Sequence, residues 1–331
     1  MPQANATILG AGSMGTALST LLAANNYKVT LWDMEEDVVR GINHLRSNPR
    51  SLKDIKLHRS IRATHNMQKA LIGADLVVFV VASQAVREVA SQAKDFIASN
   101  CVVVCAAKGL ETGTHKTMTE VLGESLGSGF KNQITAFSGP TLAIEIAQKK
   151  PTAVMIASER SNTYSKRAVD AFKSDWFKVY ETSDVVGVEY SGVAKHTLAI
   201  MAGMVFGLGY GSNTYGWLMT EGFRELSRLI WKLGGQEQTV YGIAGLGDAL
   251  ATCFAKGSRN RTFGELLGKG KSVAKANETI GETVEGIHAV DALFQISKKE
   301  KLNLPILQTI YQIVSNKKKA SKSFTELLDN F

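Results

Sequence analysis

The sequence contains few cysteines and no apolar run long enough to cross a membrane. Its 331 residues include three cysteines, Cys101, Cys105 and Cys253, and their spacing matches no metal-binding motif. Cys101 and Cys105 fall in one predicted strand with both side chains on the same face, which favours buried free thiols over a disulfide. The longest apolar runs have only the length of a strand. We therefore predict no metal site, no disulfide framework and no insertion into a membrane.

The N-terminus also lacks the basic segment of a secretory signal peptide, and we expect a cytoplasmic protein. The length suits two domains, and a composition of 44% hydrophobic and 21% charged residues is ordinary for a globular chain. The net charge of +8 comes from basic residues that are scattered, apart from Lys317–Lys319. This charge fits an anionic ligand without proving one, and we predict no nucleic-acid partner.

The two halves of the chain differ in their hydrophobic periodicity. Apolar runs rich in Val and Ile predict strands separated by helices, and such runs are typical of a parallel sheet covered on both faces. They lie at 6–9, 27–32, 75–81, 102–106, 134–137 and 153–157. The second half has helical periodicity at 190–206, 215–233, 246–252, 261–267, 283–298, 305–314 and 323–328. We predict an α/β chain with a doubly wound Rossmann-type sheet domain over 1–185 and an all-helical domain over 186–331.

A glycine-rich turn follows the first predicted strand and precedes a helix predicted from about residue 16. Its sequence is Gly10-Ala-Gly12-Ser13-Met14-Gly15. Glycines there permit a tight turn and let backbone N–H groups approach a pyrophosphate. Asp33 ends the second strand, where a carboxylate accepts from a ribose 2′-OH and repels a 2′-phosphate. We predict a nicotinamide cofactor, and Asp33 favours NAD over NADP without excluding NADP. Another nucleotide such as FAD is the alternative.

A late segment, Gly245–Arg261, joins a glycine-flanked acid, Asp248, to the cluster Ser258-Arg259-Asn260-Arg261. The cluster offers a hydroxyl, an amide and two guanidiniums, which are the groups that bind a phosphate. Together with the nucleotide turn, it predicts a dehydrogenase whose substrate carries a phosphate.

Reduction of a ketone by hydride also requires a proton donor. Lys108 follows a buried strand, at the carboxyl-terminal end where α/β folds bind ligands. The alternative is a lysine that is simply solvated. Lys195 lies in a helix of small, apolar residues that should shield it from water. The alternative is a lysine whose side chain extends along the helix to the surface. His196, about 100° further around that helix, is either a ligand contact or a core residue. Ser138-Gly139-Pro140-Thr141 is either an anion-binding turn or a plain strand-to-helix turn.

Over essentially its whole length the chain resembles the bacterial-type NAD(P)-dependent glycerol-3-phosphate dehydrogenases. The late motifs are more specific than the glycine turn. The matching segments occur in the family's order: Gly10–Ala17, Asn48–Arg50, Ala107–Gly109, Ser138–Thr141, Gly187–Lys195, Gly209–Asn213, Gly245–Asp248 with Thr252 and Cys253, Ser258–Arg261, Val284–Gly286, and Pro305 with Ile306.

The resemblance implies the reduction of dihydroxyacetone phosphate to sn-glycerol 3-phosphate, a phospholipid precursor, by a homodimer. It implies Lys195 as the proton donor and acceptor, with Lys108 and Asp248 beside the reacting group. The implied substrate contacts are Lys108, Gly139, Thr141, Lys195, Asp248, Thr252, Ser258, Arg259 and Asn260. The implied dinucleotide contacts are Gly10, Gly12, Ser13, Met14, Gly15, Asp33, Lys108, Ala143, Arg259 and Glu285.

The chain departs from the family's usual pattern at several positions. His196 stands where the family usually has asparagine, Glu221 where it often has arginine, and Met34 where it commonly has a basic residue. The turn at 48–54 is also altered. Met34, like Asp33, favours NAD over NADP. His196 and Glu221 leave open a diverged enzyme that acts on another small phosphorylated ketone or a 2-oxo acid. A non-catalytic scaffold is the third hypothesis, and the intact lysines argue against it.

Overall fold

The computed structural model describes residues 3–255 and 257–330 and consists of two compact units. The first comprises Met1–Glu111 and Lys116–Val185, and the second comprises Thr112–His115 and Val186–Phe331. The first unit is built on a sheet with helices on both faces, and the second is helical. The predicted fold class, a Rossmann-type sheet domain followed by a helical domain, is confirmed.

The described part of the first unit forms an eight-stranded sheet in the order β3-β2-β1-β4-β5-β6-β7-β8. The strands are β1 Asn5–Leu9, β2 Lys28–Trp32, β3 Ile61–Thr64, β4 Leu76–Phe79, β5 Val102–Cys105, β6 Ile134–Ser138, β7 Thr152–Ala157 and β8 Phe177–Thr182. The prediction missed the two edge strands, β3 and β8, because each mixes buried with exposed residues and neither is a continuous apolar run. It was also wrong in expecting a parallel sheet throughout, since β7 runs antiparallel to β6.

Seven α-helices were found among the described residues of the first unit: α1 Ser13–Ala24, α2 Glu36–Arg40, α3 Met67–Leu71, α4 Val86–Ala93, α5 Met118–Leu126, α6 Ala143–Ala147 and α7 Thr163–Phe172. Short 3-10 turns occur at Ser83–Ala85, Lys94–Phe96 and Ser128–Phe130, with a π-helical turn at Gly41–Leu45. α1 begins three residues earlier than predicted. Cys101 and Cys105 are both buried free thiols in one hydrophobic layer, as predicted, although Cys101 lies just before β5 and not within it.

The helices of the second unit are α8 Val185–Gly207, α9 Ser212–Lys232, α10 Glu237–Val240, α11 Asp248–Phe254, α12 Arg259–Gly268, α13 Val273–Ile280, α14 Glu285–Lys299, α15 Pro305–Val314 and α16 Ala320–Leu328. A π-helical turn, Ile243–Gly247, leads directly into α11. The sequence did not predict α10, which is a single turn, or α13, in which Ala276 alone is buried. Within the described ranges, no helix combines the length and the apolar character needed to span a membrane.

Helices α8 and α12 approach each other closely because glycines face backbone atoms at their contact. A Cβ atom on Gly203 would lie 1.9 Å from the carbonyl oxygen of Arg261. A Cβ atom on Gly264 would lie 1.9 Å from the carbonyl oxygen of Ile200. Any side chain at either position would force the helices apart, so the glycines fix both their distance and their register.

Candidate functional site

The glycine turn connects β1 to α1 and leaves the N-terminus of α1 open. Gly10 has φ of +109°, and a Cβ atom on Gly15 would lie 1.9 Å from the Gly10 carbonyl oxygen. A Cβ atom on Gly12 would meet no described protein atom within 4 Å, so this residue leaves room above the helix. The first turn of α1 contains no acidic residue. These features fit the pyrophosphate of a dinucleotide, which binds backbone N–H groups at such a helix end.

Asp33 follows β2 and holds the glycine turn in place. Its Oδ2 accepts a hydrogen bond from Ala11 N at 2.7 Å, and its Oδ1 accepts one from Glu35 N at 3.0 Å. Asp33, which was predicted to contact the ribose, therefore also tethers the end of β2 to the glycine turn. The sequence did not indicate this second role. Of the other predicted contacts here, Ser13 Oγ lies 3.2 Å from Ser51 Oγ, and Met14 packs against the core.

The ends of β5 and β6 bring three predicted substrate contacts together. Lys108 Nζ donates to the carbonyl oxygen of Gly139 at 3.1 Å, and Thr141 Oγ1 donates to the same oxygen at 3.1 Å. The two side chains are half-buried. Lys108 is thus held beyond the carboxyl-terminal end of β5 and is not a freely solvated lysine. Ala143, a predicted dinucleotide contact, begins α6 and packs partly against the core.

In the helical unit, Lys195 of α8 and Asp248 of α11 form a buried ion pair. Lys195 Nζ donates to Asp248 Oδ1 at 2.7 Å, and the two side chains are 10% and 1% exposed. The predicted shielding of Lys195 is therefore confirmed. Thr252, one turn along α11 from Asp248, has its Oγ1 3.5 Å from the same carboxylate oxygen. Burial raises the pKa of the neighbouring Cys253 thiol to about 12, so the thiol stays protonated near neutral pH.

The three predicted phosphate contacts lie at the start of α12. Ser258 caps the helix, and its Oγ accepts from Arg261 N at 3.3 Å. Arg259 Nη1 lies 2.9 Å from Glu282 Oε2 in a pair that is largely exposed. Asn260 is 7% exposed and lies at the centre of a buried network. Of the three, the Arg259 guanidinium is therefore the most accessible to an anion.

Asn260 connects three helices. Its Oδ1 accepts from Gly286 N of α14 at 2.9 Å, and its Nδ2 lies 2.7 Å from His196 Nδ1 of α8. Glu285, a predicted dinucleotide contact, precedes Gly286 as the first residue of α14. Reasoning from the sequence left the role of His196 open and missed this network. No local pattern in the sequence indicates this contact, because His196 and Asn260 are 64 residues apart in the chain.

One cleft is unrelated to these residues. It lies in the first unit, has a volume of about 550 Å³, and is lined by Lys116, Glu124, Lys131 and neighbouring residues. None of the described residues that line it belongs to the predicted site. The described lining of the cleft therefore contains none of the groups that the sequence singled out for binding or catalysis.

An open glycine turn after the first strand of a Rossmann-type sheet is typical of dinucleotide-dependent oxidoreductases, and the helical unit adds a buried lysine that can transfer a proton. Comparison with protein families gives the finer assignment. Residues 5–164 match the model for the N-terminus of NAD-dependent glycerol-3-phosphate dehydrogenase, and residues 184–325 match the model for its C-terminus. The chain belongs to the NAD-dependent glycerol-3-phosphate dehydrogenase family, as its motifs predicted.

Individual relatives agree with this assignment. The chain is 37% identical over 322 residues to a Clostridium tetani protein named glycerol-3-phosphate dehydrogenase [NAD(P)+], covering 97% of this chain and 91% of that protein. It is 38% identical over 308 residues to a Staphylococcus aureus protein of the same name, and this match covers 93% of this chain and 92% of that protein. The crystal structure of glycerol-3-phosphate dehydrogenase from Coxiella burnetii superposes with a TM-score of 0.91 at 34% identity. The superposition covers 98% of this chain and 99% of that chain. These comparisons do not favour the alternative substrates.

Proposed function

We propose that the chain catalyses the reversible, NAD(P)H-dependent reduction of dihydroxyacetone phosphate to sn-glycerol 3-phosphate and so supplies phospholipid synthesis. The observation that carries this proposal is the buried pair of Lys195 and Asp248. It provides a proton donor beside helix α12, whose first turn carries the phosphate-binding groups. Family membership and the names of the relatives support the same substrate.

In the proposed mechanism, Lys195 donates a proton to the ketone oxygen and removes it in the reverse direction. Asp248 keeps the ammonium group oriented and compensates its charge in a buried position. Bound NAD(P)H supplies the hydride. Arg259 binds the phosphate with a charge-assisted contact, and Ser258 and Asn260 support it. We further propose that Lys108, Gly139, Thr141 and Thr252 contact the substrate, and that Ala143, Arg259 and Glu285 contact the dinucleotide.

We propose that NAD is the preferred cofactor. Asp33 presents a carboxylate after β2, where a 2′-phosphate would meet a like charge. Met34 is 80% exposed beside it and offers no positive charge to a 2′-phosphate.

We also propose that the enzyme is a cytoplasmic homodimer that associates through the helical unit. Trp231 and Tyr241 expose 70% and 45% of their surface on that unit, and exposed aromatic groups are enriched in interfaces. Light scattering coupled to size exclusion tests the dimer, and a monomeric mass at micromolar concentration would contradict it.

The activity is tested by measuring oxidation of NADH and NADPH with dihydroxyacetone phosphate, glyceraldehyde 3-phosphate and pyruvate as separate substrates. We expect turnover with dihydroxyacetone phosphate, faster with NADH than with NADPH, and a reverse reaction with sn-glycerol 3-phosphate. The absence of turnover at millimolar dihydroxyacetone phosphate with either cofactor would refute the proposed function. Turnover of pyruvate alone would instead support a 2-oxo acid reductase.

A further inference from the structure

The hydrogen bonds around Asn260 fix the protonation of His196. Gly286 N can only donate, so the Asn260 atom that faces it is the amide oxygen. The amide nitrogen of Asn260 therefore faces His196 Nδ1, and this nitrogen can only donate. Nδ1 must accept, which places the ring proton of a neutral His196 on Nε2.

The amide orientation matters for the start of α12 and for the start of α14. Val284, which precedes α14, has no side-chain oxygen to cap the helix, and Asn260 Oδ1 takes that place at Gly286 N. The amide nitrogen of Asn260 carries two hydrogens, of which His196 engages one. The second remains as a donor in the first turn of α12, beside Arg259.

The contact of α8 with α12 maintains this arrangement. Ile200 lies against Gly264, and Met204 lies against Gly268 one turn further along both helices. His196 and Asn260 continue the same register one turn earlier. Since the glycines bring the backbones together, the histidine ring reaches the amide without displacement of either helix.

We propose that His196 is a positioning residue for the phosphate end of the substrate. Its Nδ1 accepts from Asn260 and thereby directs the second amide hydrogen toward the phosphate. The inference rests on the proposed function, because it takes Asn260 and Arg259 as the groups that bind a phosphate. According to this inference, residue 196 acts through the hydrogen-bond acceptor at Nδ1 and not through the bulk of its ring.

Two substitutions separate these features. His196→Phe keeps a ring of similar size and removes the acceptor. His196→Asn replaces the ring with an oxygen that is as many bonds from Cβ as Nδ1, so it can still accept from Asn260. His288→Phe serves as the matched control, because His288 is exposed on α14.

Each variant is assayed for kcat, for KM of dihydroxyacetone phosphate and of NADH, and for the rise in melting temperature caused by inorganic phosphate. We expect His196→Phe to raise KM for dihydroxyacetone phosphate about tenfold and to remove most of the phosphate effect, with kcat changed less than about threefold. His196→Asn and His288→Phe should behave like the wild type.

An unchanged KM and an unchanged phosphate effect in His196→Phe would overturn the inference. Equal losses of kcat and melting temperature in His196→Phe and His196→Asn would assign the ring a packing role and would overturn it as well. If the wild type does not reduce dihydroxyacetone phosphate, the proposed function fails. The phosphate effect on the melting temperature then decides the inference without turnover.

Discussion

Lys195 and Asp248 are separated by 53 residues in the chain, yet Lys195 Nζ and Asp248 Oδ1 lie 2.7 Å apart in the interior of the helical unit. Burial makes each charge dependent on the other, because little water can reach either of them. The pair therefore links the proposed chemistry to the stability of the unit, and the two contributions can be separated experimentally.

The first prediction concerns turnover. Lys195→Ala should lower kcat about 10²–10⁴-fold, because it removes the group that donates the proton. The measurement is steady-state oxidation of NADH, accompanied by circular dichroism and NADH binding to show that the variant is folded. Lys232→Ala, which changes an exposed lysine at the end of α9, should retain wild-type kcat. A near-normal kcat in Lys195→Ala would exclude Lys195 as the proton donor.

The second prediction concerns stability. Lys195→Met or Asp248→Asn alone should each lower the free energy of unfolding by about 3–5 kcal/mol, because each change leaves one buried charge without its partner. The double variant should cost clearly less than the sum of the two. Chemical denaturation of the four proteins measures the coupling. Additive losses would mean that the two charges do not interact strongly.

The third prediction concerns the phosphate. Arg259→Ala should raise KM for dihydroxyacetone phosphate by about 10–150-fold, the equivalent of a charge-assisted contact of about 1.5–3 kcal/mol. Stability should change little, since the pair with Glu282 is exposed. Lys275→Ala, which removes an equally exposed pair with Glu278, is the control and should leave KM unaltered. An unaltered KM in Arg259→Ala would remove this residue from the phosphate site.

The fourth prediction concerns cofactor choice. Asp33→Asn should reduce the preference for NADH over NADPH, because it removes the charge that repels a 2′-phosphate. Asparagine retains an acceptor for Ala11 N, so the glycine turn should keep its position. Fluorescence titration of both reduced cofactors measures the ratio of Kd values. Glu36→Gln, at an exposed neighbouring acid, should not alter that ratio. A wild type that already prefers NADPH would contradict the role assigned to Asp33.

The fifth prediction concerns pH. Glu225 of α9 is buried and accepts from Ile306 N at 2.8 Å and Leu307 N at 3.0 Å at the start of α15. Burial raises its pKa from 4.5 to about 7, although the two N–H donors act in the opposite direction. The neutral form is therefore favoured in the folded state. The resulting stability is complete below about pH 4.5 and is lost as the pH rises toward 7, by roughly 3 kcal/mol.

Glu225→Gln should remove this dependence. The free energy of unfolding of the wild type, minus that of the variant, should fall between pH 4.5 and pH 7. Glu237→Gln, at an exposed acid on α10, provides the control and should give a flat difference. A difference that rises with pH would show that the N–H donors keep Glu225 ionised in the folded protein.

Local patterns explain which parts of the fold were predictable. The strands β4 and β5 are continuous apolar runs, and the glycine turn directly follows β1. Neighbouring residues were therefore sufficient to predict the two strands and the turn. Strands β3 and β8 lie at the edges of the sheet, and their mixture of buried and exposed residues gives only a weak pattern. The direction of β7 depends on its pairing with β6, which composition does not encode.

The candidate site shows the same division. The sequence by itself determined the chemical groups: the glycine turn, Asp33, Lys195, Asp248 and the cluster at 258–261. Each is a local feature of residue type and spacing. Only the tertiary structure decided which groups meet, because contacts across 53 or 64 residues depend on how helices pack. The glycines of α8 and α12 set the register that brings His196 to Asn260, and the start of α11 brings Asp248 to Lys195.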